Sequence, residues 1–348
     1  MAAMNSPRQG RPHRSARWLV AGLIGALVGA TPPATADDTS MNEAVAGAAA
    51  QCPEPDGVSI GDDQFYRQVG PSGRRYQLYV PTSYRGNRPV PLILDFHPFT
   101  GTASIEELFN GFEEVAEEAG FVLARPEALT PEGGLGPTWS LYGSDDIEYV
   151  EDVLADVRSV VCVDPARTYA VGMSQGGHFA TQLACRLPGS FAAVASVAVL
   201  DHPFECAPPP TPIIAFAGRN DRIYDIEEGL DPAIFELSFP DAPDGSRPGP
   251  LEDEGEAWAS ANGCKPEPVI TSSAEGVQRL KYLCPQHIDT VIFVHDGGHV
   301  WPGPWLDPEL AEQLGIGPAT NQIDATRTIW WFFMQHQSDP WGMWWAHE

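Results

Sequence analysis

Gly172-Met173-Ser174-Gln175-Gly176 sets a serine between glycines in the spacing G-x-S-x-G. A hydroxyl is a weak nucleophile, so this pattern does chemistry only with a base beside it and a carboxylate to orient that base. The five residues directly follow the apolar stretch Thr168–Val171 and directly precede a helical one, which is the setting of a nucleophile elbow. A tight strand-to-helix turn strains the backbone of its central residue, and flanking side chains would clash, hence the glycines. The turn lifts the Ser174 hydroxyl above the end of a sheet. It also aims the Gln175 N–H at the place where an ester carbonyl oxygen becomes an oxyanion. The chemistry implied is acyl transfer through Ser174.

In such sites the chain order is serine, acid, histidine, each at the end of a later strand. His299 lies in Asp296-Gly297-Gly298-His299-Val300-Trp301-Pro302-Gly303, a turn-rich loop after the apolar run Thr290–Val294. It is the candidate base, while His295, still at the strand end, reads as structural. Asp221 follows the strand Pro212–Ala217 and is the candidate acid, with Asp225 and Asp201 as competitors. A second oxyanion donor is expected from Asp95-Phe96-His97-Pro98-Phe99-Thr100-Gly101. Proline has no N–H, so Phe99 is favoured and Thr100 comes second. His97 reads as a buried histidine bonded to backbone.

These loops need a scaffold, and the chain supplies alternating strands and helices. Val90–Phe96 and Phe121–Pro126 are continuous apolar runs suited to strands buried on both faces. Helical spacing marks Ser104–Ala119, Asp146–Val161, Gly177–Leu187 and about 325–335, and Phe191–Leu200 is a further strand. The alternation predicts an α/β sandwich with a mostly parallel central sheet flanked by helices, in one domain over 63–348. One segment, about 225–256, is crowded with acidic residues, Pro and Gly and breaks the pattern. It is either a solvated insertion or a lid over the site.

The chain has 348 residues and a formal net charge of -27. That charge excludes nucleic-acid and anionic-membrane partners, and leaves a neutral small or polymeric ester acceptable. Arg8, Arg11, Arg14 and Arg17, the apolar run Trp18–Ala30 and Ala34-Thr35-Ala36 read as an export signal over 1–36, followed by a flexible leader over 37–62. The product would be secreted, extracellular or periplasmic, and free of membrane after cleavage. Six cysteines in an exported chain imply three disulfides. Cys264–Cys284 is the nearest plausible pair, Cys185–Cys206 would flank a strand, and Cys52–Cys162 follows by elimination. No CxxC or HxxxH spacing points to metal.

Phe96-His97-Pro98-Phe99-Thr100-Gly101, Cys162–Tyr169, Gly172-Met173-Ser174-Gln175-Gly176-Gly177, Trp258–Cys264 and Gly297-Gly298-His299-Val300-Trp301-Pro302-Gly303 occur in this order. Together they resemble the polyhydroxybutyrate depolymerase and feruloyl esterase family of LpqC-like secreted esterases, from about Asp63 to His336. The resemblance implies an α/β-hydrolase fold and a Ser174, Asp221, His299 triad without metal or organic cofactor. It implies substrates among feruloyl esters, acetyl groups on xylan and short polyesters. It also suggests aromatic substrate walls at Trp139 and Trp301, near Thr100. The chain departs from the family at Pro98, where glycine is usual, and at Ala217-Gly218-Arg219-Asn220-Asp221, where His-Gly-Thr-x-Asp is usual. The expected product is a monomeric serine esterase; the rival of another class is an inactive polymer-binding protein on the same fold. Trp330 and Trp331 are expected in the core, and Trp341, Trp344 and Trp345 packed back on it.

Overall fold

The computed structural model describes residues 52–54, 57–203, 207–240, 242–285 and 288–338, all within one compact unit, Gln51–Glu348. Six parallel strands form its centre in the order β4 (Val122–Pro126), β3 (Val90–Phe96), β5 (Val163–Met173), β6 (Ala193–Val197), β7 (Ile213–Gly218) and β12 (Thr290–His295). Antiparallel strands extend both edges. β2 (Arg74–Tyr79) and β1 (Tyr66–Val69) lie beyond β4, and β11 (Val277–Lys281) and β10 (Val269–Ala274) lie beyond β12. β3, β4, β6, β7 and β12 are buried along their whole length and β5 over its second half, as strands covered by helices on both faces must be. Two apolar clusters, one on each face, supply the covering.

The helices are α1 (Ala103–Asn110), α2 (Phe112–Ala119), α3 (Asp145–Val160), α4 (Gln175–Arg186), α5 (Pro232–Ser238), α6 (Leu251–Ala261), α7 (Pro308–Leu314) and α8 (Ala325–Phe333). One long helix was expected over Ser104–Ala119; the structure breaks it at Gly111. That residue has φ 59°, and a Cβ there would lie 2.3 Å from the Trp305 ring. The close packing of Trp305 therefore requires glycine and a bend. On α8 the Trp pair divides. Trp330 packs against Phe121 inside the core, the rings tilted with centroids 4.3 Å apart, whereas Trp331 is 61% exposed. Trp341, Trp344 and Trp345 lie outside the described residues. Among the described residues no helix is long and apolar enough to cross a membrane.

Disulfides join Cys52 to Cys162 and Cys264 to Cys284. Cys185 is also disulfide-bonded, but Cys206 lies outside the described residues, so the expected pairing of these two does too. The signal peptide expected over 1–36 and most of the leader likewise lie outside. Within that leader Cys52 is tied down by the disulfide and Gly61 by its N–H donating to the Val80 carbonyl at 2.8 Å.

Candidate active site

Ser174 stands between the end of β5 and the first turn of α4, with φ 54° and ψ -122°. This is a region few non-glycine residues enter, and holding one there costs roughly 1–3 kcal/mol. The surroundings explain how it is held. The Ser174 N–H donates to the Val197 carbonyl at 2.8 Å, which pins the elbow to the end of β6. A Cβ at Gly176 would lie 2.0 Å from the Phe96 carbonyl oxygen, and one at Gly172 would lie 2.4 Å from the Gly176 backbone. The two glycines thus let β3, β5 and α4 meet at the serine.

Asp221 and His299 close on this point from the ends of β7 and β12. His299 Nδ1 lies 2.8 Å from Asp221 Oδ2, and both side chains are buried. The other carboxylate oxygen, Oδ1, accepts the Ile223 N–H at 2.7 Å and the Tyr224 N–H at 2.9 Å. With Asp221 fixed by two amides, a neutral imidazole donates from Nδ1 to Oδ2 and has its lone pair on Nε2. The two loops touch backbone to backbone, and a Cβ at Gly218 would lie 2.4 Å from the Gly297 and Gly298 carbonyl oxygens. Ser174 and His299 line one narrow cleft together with Gln175, His178, Val199, Leu230, Ile234, Ser238 and Phe239. Among the described residues no hydrogen bond joins Ser174 to His299; such contacts often tighten only around substrate.

The competing acids are occupied elsewhere. Asp225 is exposed, and its Oδ1 accepts the Glu227 and Glu228 N–H groups in a turn. Asp201 is buried on His178, with His178 Nε2 at 3.0 Å from its Oδ2. His97 and His295 are structural. His97 Nδ1 donates to the Pro98 carbonyl at 2.8 Å, and its Nε2 accepts the Ala128 N–H at 3.1 Å. Burial pushes both histidines down to about 4, so they stay neutral.

In the oxyanion loop the Gly101 N–H closes a turn on the Pro98 carbonyl at 2.9 Å, and Thr100 sits at φ 60°. The Thr100 N–H donates to the Pro137 carbonyl at 2.8 Å, so it is not available to a ligand. Phe99 remains the candidate of that turn. Gln175 heads α4, where the first N–H groups have no partner within the helix. Its side chain is held at both ends: Oε1 accepts the Trp139 N–H at 3.1 Å, and Nε2 donates to the Ser238 carbonyl at 3.0 Å.

The expected aromatic walls are corrected by the structure. Trp139 is stacked on Phe179 at 4.8 Å, and its Nε1 donates to the His97 carbonyl at 2.9 Å. Trp301 donates from Nε1 to the Thr326 hydroxyl at 2.9 Å and packs edge-on to Phe112. Both indoles are core residues, and Thr100 is exposed on its turn away from the cleft lining. The cleft is walled instead by the acidic segment after Asp221. Tyr224–Asp225 and Gly229–Leu230 form the hairpin β8–β9, and α5 follows with Asp231 as its N-cap. Leu230, Ile234, Ser238 and Phe239 face the nucleophile. A solvated insertion does not describe this segment, because its inner face is apolar and packed. Its far end, 251–256, is the first half of α6.

Behind this wall lies a buried acid. Glu254 accepts the Gly249 N–H at 2.7 Å and the His202 N–H at 2.6 Å. Burial, and then the charge of Asp201, push its carboxyl up to about 7. The folded state holds this proton more tightly than the unfolded chain. Its stabilising contribution is therefore complete below the ordinary carboxylate range and is lost as pH rises to about 7. Glu254→Gln is expected to gain stability relative to wild type by about 2 kcal/mol between pH 5 and pH 8. Thermal melts at the two pH values read this as roughly 3 °C; an unchanged difference in Tm would show that Glu254 does not titrate in this window. Among the described residues no group of three or more His, Cys, Asp or Glu is placed to hold a metal ion.

Fold and site together define an α/β hydrolase. No family model matches the chain. Among curated proteins it is similar to feruloyl esterase B of Piromyces equi, at 28% identity over 208 residues, 56% of this chain but only 37% of that protein. It is also similar to the putative esterase NocK of Nocardia uniformis subsp. tsuyamanensis, at 29% identity over 68% of this chain and 74% of that one. A probable feruloyl esterase C of Aspergillus niger is 26% identical over 76% of this chain and 84% of its own. The solved acetyl xylan esterase from Aspergillus awamori covers 77% of this chain and 98% of its own, with TM-score 0.50 and 13% identity, a likeness of fold. The chain has the α/β-hydrolase fold and is similar in sequence to proteins named feruloyl esterase.

Proposed function

We propose that this chain is a secreted serine esterase that removes feruloyl or acetyl groups from plant polysaccharide. The observation that carries the serine mechanism is the convergence of Ser174, strained at an elbow, and the Asp221–His299 pair on one narrow cleft. In this reading His299 Nε2 takes the proton as Ser174 Oγ attacks the ester carbonyl. The Gln175 and Phe99 N–H groups stabilise the oxyanion. His299 returns the proton to the departing alcohol, leaving an acyl-Ser174 ester. Water, deprotonated by the same imidazole, then releases the acid and restores the serine. The substrate class is supported by the printed names of the similar proteins, feruloyl esterases and an acetyl xylan esterase. Secretion is supported by the disulfides, which persist in oxidising compartments, and by the basic-then-apolar pattern at the start of the chain.

A fluorophosphonate should label wild type at Ser174 and leave Ser174→Ala unlabelled, with esterase activity lost in parallel. Activity on methyl ferulate or acetylated xylan that survives Ser174→Ala would overturn the mechanism.

A further inference from the structure

A second aspartate–histidine pair stands beside the nucleophile. His178 lies one helical turn after Ser174 on α4, and the His178 N–H donates to the Ser174 carbonyl at 2.9 Å. That bond sets His178 in the first turn of α4, directly beside the elbow. His178 lines the same cleft as Ser174 and His299 and is 1% exposed. Its Nε2 is anchored on Asp201 Oδ2 at 3.0 Å. Asp201 is itself set among donors, with the Thr181 hydroxyl at 2.7 Å from Oδ1 and the Gln182 amide at 3.1 Å from Oδ2. The carboxylate therefore accepts a hydrogen bond from Nε2–H of the neutral ring, and Nδ1 is left with a bare lone pair. Among the described residues Nδ1 is buried and has no partner. The Phe239 ring lies 5.2 Å from the imidazole, and of the polar residues that share the cleft, Ser174, Gln175 and Ser238, none bonds Nδ1.

A buried acceptor without a donor is costly, and in a substrate cleft the donor is expected to arrive with the substrate. We propose that His178 is a specificity-determining residue whose Nδ1 accepts a hydrogen bond from a substrate hydroxyl a few bonds from the scissile ester. This rests on the esterase reading above. Because His178 and Ser174 line one narrow cleft, a hydroxyl at the far end of a long acyl group does not fit this role. The cleft selects a hydroxyl vicinal to the esterified oxygen, as on a polyol ring, or a hydroxyl at the third carbon of the acyl chain. His178 is not a rival base in this assignment: it recognises a group that does not react.

Two matched pairs of esters test it: trans-2-hydroxycyclohexyl acetate against cyclohexyl acetate, and methyl 3-hydroxybutyrate against methyl butyrate. The wild-type protein should favour the hydroxylated member of one pair roughly tenfold in kcat/KM, a ratio typical of one good hydrogen bond. The pair that shows it tells whether the hydroxyl sits on the alcohol or the acyl side. His178→Leu and His178→Phe both remove the acceptor and should bring that ratio close to one, whatever they do to absolute rates. His178→Asn, which keeps an oxygen near the Nδ1 position, should retain part of it. Equal rates within both pairs in wild type overturn the assignment. So does a ratio that persists in whichever of the Leu and Phe variants folds. Ser174-dependent hydrolysis of the deoxy esters keeps the esterase reading standing if His178 fails. No hydrolysis of any of the four esters by wild type counts against that reading instead.

Discussion

Asp221→Asn is expected to lower kcat by about 10⁴-fold while leaving the fold in place. The size of the effect follows from how the carboxylate is held. Oδ1 faces two amide donors, Ile223 N–H and Tyr224 N–H, and Oδ2 faces His299 Nδ1. An asparagine must turn its carbonyl to the two amides, because an NH₂ group there would meet donor against donor. Its NH₂ then points at His299 Nδ1 and requires that nitrogen to be the acceptor. The proton moves to Nε2, where the base for Ser174 should be, and the imidazole can no longer take the serine proton. Steady-state kinetics on p-nitrophenyl acetate, with near-ultraviolet circular dichroism to check the fold, measure this. A folded Asp221→Asn within tenfold of wild type would remove Asp221 from the proposed triad.

The largest loss of stability is expected from the addition of a single methyl group, Gly176→Ala. The new Cβ would meet the Phe96 carbonyl at 2.0 Å and the His97 carbonyl at 2.6 Å. These are backbone atoms of β3 and of the loop that follows it, so no flexible side-chain end can yield. β3 and α4 must separate, and the cost is about 3 kcal/mol or more. The same displacement moves the Gln175 N–H, which follows the nucleophile, away from the Phe99 loop. In the proposed mechanism that costs a further 10²-fold or more in kcat. Urea denaturation gives the first quantity and kinetics under native conditions the second. A variant with an unshifted urea midpoint would mean that the elbow tolerates far more slack than these contacts allow.

The nucleophile, acid and base candidates were legible in the sequence because each signal is local. A serine between glycines after a strand, an aspartate just past Ala217-Gly218 and a histidine after Gly297-Gly298 can each be read within a dozen residues. The walls of the cleft were not. Trp139 and Trp301 lie beside site loops in the chain, yet their N–H groups are claimed by the His97 carbonyl and the Thr326 hydroxyl inside the core. Partners that distant in sequence leave no local mark. The acidic composition of 225–256 reports its solvent face, while the few apolar residues that matter, Leu230, Ile234 and Phe239, are diluted by it. The His178–Asp201 pair was missed for a related reason: the two residues are brought together by α4 and the loop after β6. Some signals were available and unused. The hairpin of β10 and β11 turns at Glu275-Gly276, with Gly276 at φ 74°, a two-residue turn that the sequence shows openly. β10 itself is exposed along its length and carries no alternation to find.

The bridge from Gln175 to Ser238 acts as a gauge on what enters. One side chain ties the elbow to α5, so a guest thick enough to lift that helix must break the Gln175–Ser238 bond. In doing so it loosens the residue whose backbone N–H is proposed to steady the reacting oxygen. An acyl group thin enough to slide under Leu230, Ile234 and Phe239 leaves the bond whole and meets a rigid site. In the proposed mechanism size is thereby sorted at the residue that steadies the oxyanion, and a bulky ester binds yet turns over poorly.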